Sequence, residues 1–455
     1  MRCSVVIPCH DKAELTRACI ASLLALEGLA ASEILLVDNA SSDDTPALDR
    51  CAPQVRVLRQ PRNLGFAGGV NAGIREARGE LVLVLNNDTQ AAPNLLHELA
   101  AVLASDERMG ATAPLSNHVK GHALLAVGGR GKTAAGRVEL LEALRTQAPV
   151  QDAPTLAGLC LLVRRSTFER IGCFDERFGH GNFEDDDFCL RLRLHGLRLG
   201  IAARTFLHHE GHATFKHLGL DLQAQLAQRL VQFAAKWRDD PAGRAYVAAL
   251  AGDHERAAAA ALAARQCWPE WPDADWHLGT WLAQRGEHAR ARVHLRALLR
   301  QCPHHVDAKI ALVRSCLQLG DERAAAALLE TIAGDAPTAG QQAMLLRTVA
   351  GHHYERGDCE RALASFEAAL DLAPGDGVVH NWIGACHLAA QRVADAAPHF
   401  ERAATAGVPI AWSNLGICRA REGRLDEARA HFARAVELLP GDATARNNAA
   451  MLPVA

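Results

Sequence analysis

From residue 1 to about residue 235 the chain alternates two kinds of segment. Ser4 to Ile7, Ile34 to Val37, Val55 to Leu58 and Leu81 to Leu85 are uninterrupted apolar runs, the form of strands buried on both faces. Between them lie amphipathic or alanine-rich stretches, Ala13 to Leu26, Pro46 to Cys51 and Ala67 to Ala77, which predict helices. Such alternation predicts an α/β domain with a mostly parallel sheet covered by helices. Ligands of these sheets bind beyond the carboxyl ends of the strands, so chemistry is expected in the residues that follow each run.

After about residue 240 the strand pattern gives way to a period. Gly252, Gly286 and Gly320 stand 34 apart, as do Pro269, Pro303 and Pro337. Gly357, Gly423, Pro374 and Pro440 continue the pattern with small insertions, and Phe366, Phe400 and Phe432 follow at spacings of 34 and 32. Segments such as GDCERALASFEAALDLAPGD and GRLDEARAHFARAVELLPGD resemble tetratricopeptide repeats, with a small residue at the turn, alanines where two helices meet and proline closing the unit. The resemblance covers 241–455, about six helical hairpins, with Gln391 standing where glycine is expected. It implies an all-α solenoid whose groove binds a polypeptide or partner. The plainer alternative is an array that braces the first domain or joins two copies as a homodimer.

Composition narrows the rest. A chain of 455 residues is too long for one ordinary core and predicts two or three domains, here 1–235 and 241–455. A net charge of -3 gives no long-range attraction for nucleic acid or an anionic membrane. The 13 cysteines are scattered without a CxxC pair, which predicts buried, reduced thiols rather than a zinc ribbon or disulfide framework. MRCSVVIPCH carries no charged leader before an apolar run, and no stretch approaches the roughly 18 apolar residues of a membrane span. The expectation is a cytoplasmic protein without stable membrane insertion.

The strand ends carry the chemistry. Strand one stops at Pro8 and turns through Cys9 and His10. Strand two places Asp38 at its tip, where an acid can accept from a ribose hydroxyl or a base N–H, or else cap the helix beginning near Thr45 or close an Asx-turn. In PRNLGFAGGVNAG the glycines allow close backbone approach or positive φ, although the spacing is not GxGxxG and does not point to a dinucleotide cofactor. Strand four delivers Asn86, Asn87 and Asp88, a set suited to Mg²⁺ or Mn²⁺ completed by phosphate, or to a turn. NFEDDDFCLRLRL then sets four carboxylates, Glu184 to Asp187, at the start of a helix. The helix dipole favours some of that charge, but adjacent acids repel unless a cation or proton is shared among them.

In this order, IPCH, VDNASSDDT, NLGFAGGVNAG, LNNDT, AGLCLLVRRSTFERIGCFDERF, FEDDDFCLRL and LHHEGHAT closely resemble the family 2 glycosyltransferases of GT-A fold, especially the rhamnosyltransferase-like ones, over about residues 1–215. The resemblance implies a nucleoside-diphosphate sugar donor, a divalent metal, Mg²⁺ or Mn²⁺, and inversion at the anomeric carbon. By position, Pro8, His10 and Asp38 would hold the nucleotide, and Asn63, Gly65, Asn71 and Asn87 are counted with the substrate-binding residues. Asp88 would be the metal-binding acid, with Asn86 in place of the family's first aspartate and His208, or next His209, completing the site. Gly158 would lie under the sugar, and Asp175 would orient the acceptor loop. Glu184 and Asp185 match the family's acidic pair, with Asp185 the expected base; Asp187 can pair with Arg191 one turn on, and Asp186 is expected in solvent. Ser166 and Glu169 read as a capping box, and Ala213 stands where a zincin motif would need histidine. The glycine-rich segment 117–153 suits an acceptor-side loop.

Transfer of a sugar to a protein or peptide acceptor presented by the repeats is the leading expectation. Assembly of a surface polysaccharide or lipid-linked glycan is the alternative within the enzyme class, and an inactive scaffold is the alternative outside it.

Overall fold

A computed structural model of the chain describes residues 2–26, 33–119, 123–125, 130–179, 181–211, 222–335 and 337–450. The four apolar runs form the parallel strands β1 (Cys3–Cys9), β2 (Glu33–Asp38), β3 (Val55–Arg59) and β4 (Leu81–Leu85), with α1 (Ala13–Leu24) and α2 (Gly65–Glu76) as crossovers. Pro46 to Cys51, expected as a helix, is only a 3-10 helix over Thr45–Arg50, because a six-residue segment with proline near its start has no room for an α-helical ladder.

Beyond β4 the sheet becomes mixed. β5 (Thr89–Ala91), α3 (Leu95–Ala104), β6 (Met109–Ser116), α4 (Ala134–Leu144), β7 (Val150–Asp152), β8 (Cys160–Arg164), α5 (Arg165–Ile171), α6 (Glu184–Leu194) and β9 (Arg198–His209) follow in chain order. The strands lie in the order β3-β2-β1-β4-β8-β6-β9-β5, with β7 on β9. The segment expected as an acceptor-side loop thus contains a helix, α4, and the edge strand β7; residues 120–122 and 126–129 lie outside the described residues. The expected capping box does not form: β8 runs directly into α5 at Arg165, so Arg164, still extended, occupies the cap position and Ser166 is already inside the helix.

α2 shows what most of its glycines do. A Cβ at Gly73 would stand 2.3 Å from Val6 and one at Gly69 2.8 Å from Asn39, so these positions are empty to let the helix sit on the sheet. Gly65, at φ 72°, is the one that makes a left-handed turn.

The remainder is helical: α7 (Leu222–Lys236), α8 (Pro241–Leu250), α9 (His254–Cys267), α10 (Asp273–Gln284), α11 (His288–Gln301), α12 (Val306–Gln318) and α13 (Glu322–Gly334), then α14 (Ala339–Glu355), α15 (Cys359–Leu372), α16 (Gly377–Ala389), α17 (Val393–Thr405), α18 (Ile410–Arg421), α19 (Leu425–Leu438) and α20 (Ala443–Ala450). Three of the hairpin turns use the same local device. Gly252, Gly320 and Gly357 take φ of 72°, 72° and 79°, and the aspartate after each accepts from a backbone N–H three residues on, capping the next helix. Gln391 takes the corresponding left-handed position at φ 61°, without glycine's freedom.

Compactness does not follow the change of pattern near residue 240. One compact unit runs from the start through Thr338, so it includes the sheet and the helices to α13; the second is Ala339 to the end. Within the first, Asp152 of β7 donates its N–H to His304 O (3.1 Å) and accepts from His304 N (2.9 Å), while its carboxylate also binds Arg198. Arg193 of α6 forms a buried ion pair with Asp273 of α10.

Candidate active site

The carboxyl ends of β1 and β2 and the start of α2 are laced together. Asn39 N donates to Cys9 O at 2.8 Å, and Asn39 Nδ2 donates to Gly65 O at 3.0 Å. Pro8 pairs with Val37 across the ladder, and the His10 ring nitrogen Nδ1 lies 2.9 Å from Asn39 O. Asp38 is fully buried; it accepts from Ser41 N (2.8 Å) and from Arg59 (2.7 Å), so the Asx-turn alternative is the one realised and the carboxylate is committed to the fold. Asn63 accepts from Gly65 N at 2.9 Å, which sets the turn into α2. Asn71 donates to Phe174 O (2.8 Å) and accepts from Phe174 N (3.1 Å), tying α2 to the loop before α6. Asn87 donates to Thr16 of α1 at 3.0 Å. The amide of Asn71, expected to bind substrate, is thus bonded at both ends inside the protein, and that of Asn87 gives one of its donors to α1. By contrast, the buried Oδ1 of Asn39, which the sequence reading passed over, has no partner.

At the end of β4 the register decides which histidine matters. β5 pairs with β9 so that Thr89 faces His209 and Gln90 faces His208, and successive strand residues point to opposite faces. Asp88 precedes Thr89, and its Oδ1 lies 3.2 Å from His209 Nε2, with both side chains buried. Burial works against charge on His209, but the hydrogen bond and charge of Asp88 outweigh it and raise the imidazole above its ordinary value. His208 faces the other way: its Nε2 lies 3.1 Å from Glu210, its Nδ1 has no partner, and burial lowers its pKa. The Asp88 partner is thus His209, second in the sequence reading, and not His208. Asn86 holds the strand end by donating its N–H to Leu159 O at 2.9 Å. Among the described residues no group of three or more His, Cys, Asp or Glu could by itself hold a metal. The residues that match HAT of LHHEGHAT, Ala213 included, lie outside the described ones.

The acids of α6 divide their charge among separate recipients. Asp185 accepts from Gly158 N at 2.9 Å, and a Cβ on Gly158 would lie 3.4 Å from both Asp185 and the Phe66 ring. Since Cys160 pairs with Leu85, this contact places Asp185 beside the end of β4, on the same rim as residues 86–88. Glu184 is buried with Oε2 unpartnered; burial first, then the charge of Asp185, drive its pKa well above the ordinary value, which favours its neutral form. Asp187, fully buried, pairs with Arg191 at 2.9 Å as the spacing suggested, and also accepts from Trp237 Nε1 at 3.0 Å. Asp186 is not in free solvent as expected: the Tyr246 hydroxyl of α8 donates to it at 2.6 Å. Asp175 caps the short 3-10 turn before α6 and pairs with Arg177 and with Lys236 of α7. Burial alone would raise its carboxyl, yet the Arg177 and Lys236 hydrogen bonds hold it well below the usual range. The chain enters α6 through left-handed residues, Asn182 at φ 75° and Phe183 at φ 69°. For a bulky residue this costs about 1–3 kcal/mol, and the Phe183 ring rests on Phe233 of α7, centroids 5.5 Å apart.

Both halves of the chain are similar to known proteins. Residues 4–172 match Glycosyl transferase family 2, and residues 282–348, 350–409 and 409–442 match tetratricopeptide repeats. The chain belongs to glycosyl transferase family 2, with a GT-A-like sheet domain followed by tetratricopeptide repeats. It is 34% identical over 213 residues to the N-acetylglucosaminyl-diphospho-decaprenol L-rhamnosyltransferase of Mycobacterium tuberculosis, covering 40% of this chain and 67% of that protein. It is 30% identical over 220 residues to the O-antigen biosynthesis protein RfbC of Myxococcus xanthus, covering 46% of this chain but 17% of that protein. The chain therefore spans only part of the length of the curated relatives it matches. Among solved structures, the mannosyltransferase PcManGT from Pyrobaculum calidifontis, in complex with GDP-Man and Mn²⁺, aligns at 21% identity and TM-score 0.41, covering 66% of this chain and 86% of that one. No described helix is long and apolar enough to cross a membrane.

Proposed function

We propose that the protein transfers a glycosyl group from a nucleoside-diphosphate sugar to a hydroxyl of a saccharide acceptor, with inversion at the anomeric carbon. The observation that carries this is the shared rim: Asp185 is fixed by Gly158 N at the start of β8, while Asp88 and His209 stand at the adjoining end of β4. Displacing a nucleoside diphosphate builds negative charge on the leaving phosphate, and the acceptor hydroxyl must lose its proton on the opposite face. Asp185 supplies the carboxylate for that proton. Burial disfavours charge on Glu184 beside it, which leaves the base function of the pair to Asp185. The unpartnered Asn39 Oδ1 and the His10 ring offer hydrogen-bonding groups to the nucleotide.

Asp88 and His209 would hold the divalent ion, and the bound ion would offset charge on the pyrophosphate. One carboxylate and one imidazole at 3.2 Å suit Mn²⁺ better than Mg²⁺, which favours all-oxygen ligands. With two side chains from the protein, the remaining ligands would come from phosphate and water.

The relatives, a rhamnosyltransferase named for a decaprenol-linked substrate and an O-antigen biosynthesis protein, support a glycan or lipid-linked acceptor. The repeats support the second reading, a protein acceptor or partner held by the helical array. Thermal-shift measurement with UDP-, GDP- and dTDP-sugars in Mn²⁺ should give a raised melting temperature for one nucleotide class. Asp185→Asn should keep that shift while transfer falls at least a hundredfold. Absence of any nucleotide response, or full activity in Asp185→Asn, would rule the reading out.

A further inference from the structure

The helices that follow the sheet reach the acid-bearing helix at both of its ends. At the far end, Arg193 pairs with Asp273 of α10, where Trp271 Nε1 also donates to Asp273 at 3.0 Å. At the near end, Lys236 of α7 bridges Asp175 and Asp187, Trp237 donates to Asp187, and Tyr246 of α8 donates to Asp186, the residue next to Asp185. Leu190 and Leu194 of α6 share one apolar cluster with Phe233, Trp237, Ala242 and Trp271. The left-handed approach through Phe183 rests on the same wall.

We propose that Tyr246, supported by Lys236 and Trp237, is a positioning residue that orients Asp185 through the hydroxyl bond to Asp186, so that the first helices after the sheet form the back of the active site. This rests on Asp185 being the base. The physical reason lies in the charge of the first turn. Of the four acids in a row, Asp187 is paired with Arg191 and burial disfavours charge on Glu184, which leaves the adjacent Asp185 and Asp186 to repel each other, and a donor on Asp186 draws its charge away from Asp185. The groups facing this pair include Tyr246 from α8, Gly158 N on Asp185, Arg229 from α7 acting on Glu184, and Glu184 and Cys189 on α6 itself. Burial, then the charge of Asp186, holds the Tyr246 hydroxyl protonated far above neutral pH, so it remains a donor throughout the working range.

Tyr246→Phe in the full-length chain tests this, because the ring can keep its packing against Phe233, 5.3 Å between centroids, while the donor is lost. Expected results are a kcat about tenfold lower with donor affinity unchanged, an acid limb of kcat/KM moved up by about half a pH unit, and faster hydrogen exchange of the amides at 184–188. Asp186→Asn should move the acid limb the opposite way, because it removes the neighbouring negative charge. Unchanged kcat, pH profile and exchange in Tyr246→Phe would overturn the proposal. If the unaltered protein turned over no nucleotide sugar, the enzymatic reading would fail while the exchange measurement would still decide whether Tyr246 holds the start of α6.

Discussion

The two compact units bury different things. In residues 2–338 the interior holds ion pairs, Asp152 with Arg198, Asp187 with Arg191 and Arg193 with Asp273, together with the buried carboxyl of Glu184. Among the described residues of 339–450, the buried polar side chains are Gln341, His380 and Ser413, and the core is mostly alanine, with phenylalanine, cysteine and single valine, isoleucine and leucine residues. The second unit packs by shape instead. A Cβ on Gly384 would lie 2.8 Å from the Phe400 ring and one on Gly416 2.6 Å from Phe432, each pair 16 residues apart. Ala350 and Phe366, also 16 apart, are both fully buried. A repeated hairpin needs only a small residue opposite a large one. A unit that must aim particular acids has to fix them with ion pairs, whose geometry is directional but whose desolvation is costly.

The difference can be broken from either side. The largest effect is expected for Arg193→Met, which leaves Asp273 buried without its cation: about 3–5 kcal/mol lost, read as a lower urea midpoint for the first unit with the transition of the second unmoved. Next is Gly416→Leu, which overpacks the Phe432 seat and should cost about 1–3 kcal/mol, confined to the transition of the second unit. The mildest is Glu184→Gln, whose sign depends on pH. The folded-state pKa of Glu184 is raised, so its contribution is full below the ordinary carboxyl range and is lost as pH rises toward the folded value. Thermal unfolding should therefore show the glutamine variant equal to the parent near pH 4 and increasingly more stable toward pH 8. A constant difference across that range would mean Glu184 is not held neutral.

Much of this was legible in the chain. Each apolar run became a strand because uninterrupted Val, Leu and Ile suit a sheet covered on both sides, and the 34-residue period marks the hairpins because a left-handed residue, mostly glycine, sets the turns locally. Long-range pairing was not legible. Choosing His209 over His208 required the β5–β9 register, which no local pattern encodes. Tyr246 lies 60 residues beyond Asp186, and its one sequence signal is rarity, since the chain has two tyrosines. The apparent boundary near 240 marks where strands end, not where packing ends, because the apolar face of α6 is covered by helices from the following segment.

The reciprocal bond between Asp152 and the backbone of His304 has a consequence for how the protein is made. The edge strand β7 is finished by a turn 152 residues downstream, so a nascent chain carrying the whole sheet still lacks the partner that closes it. Synthesis must pass residue 304 before the first unit can complete, and until then Asp152 and Arg198 wait at an open edge where another chain could pair.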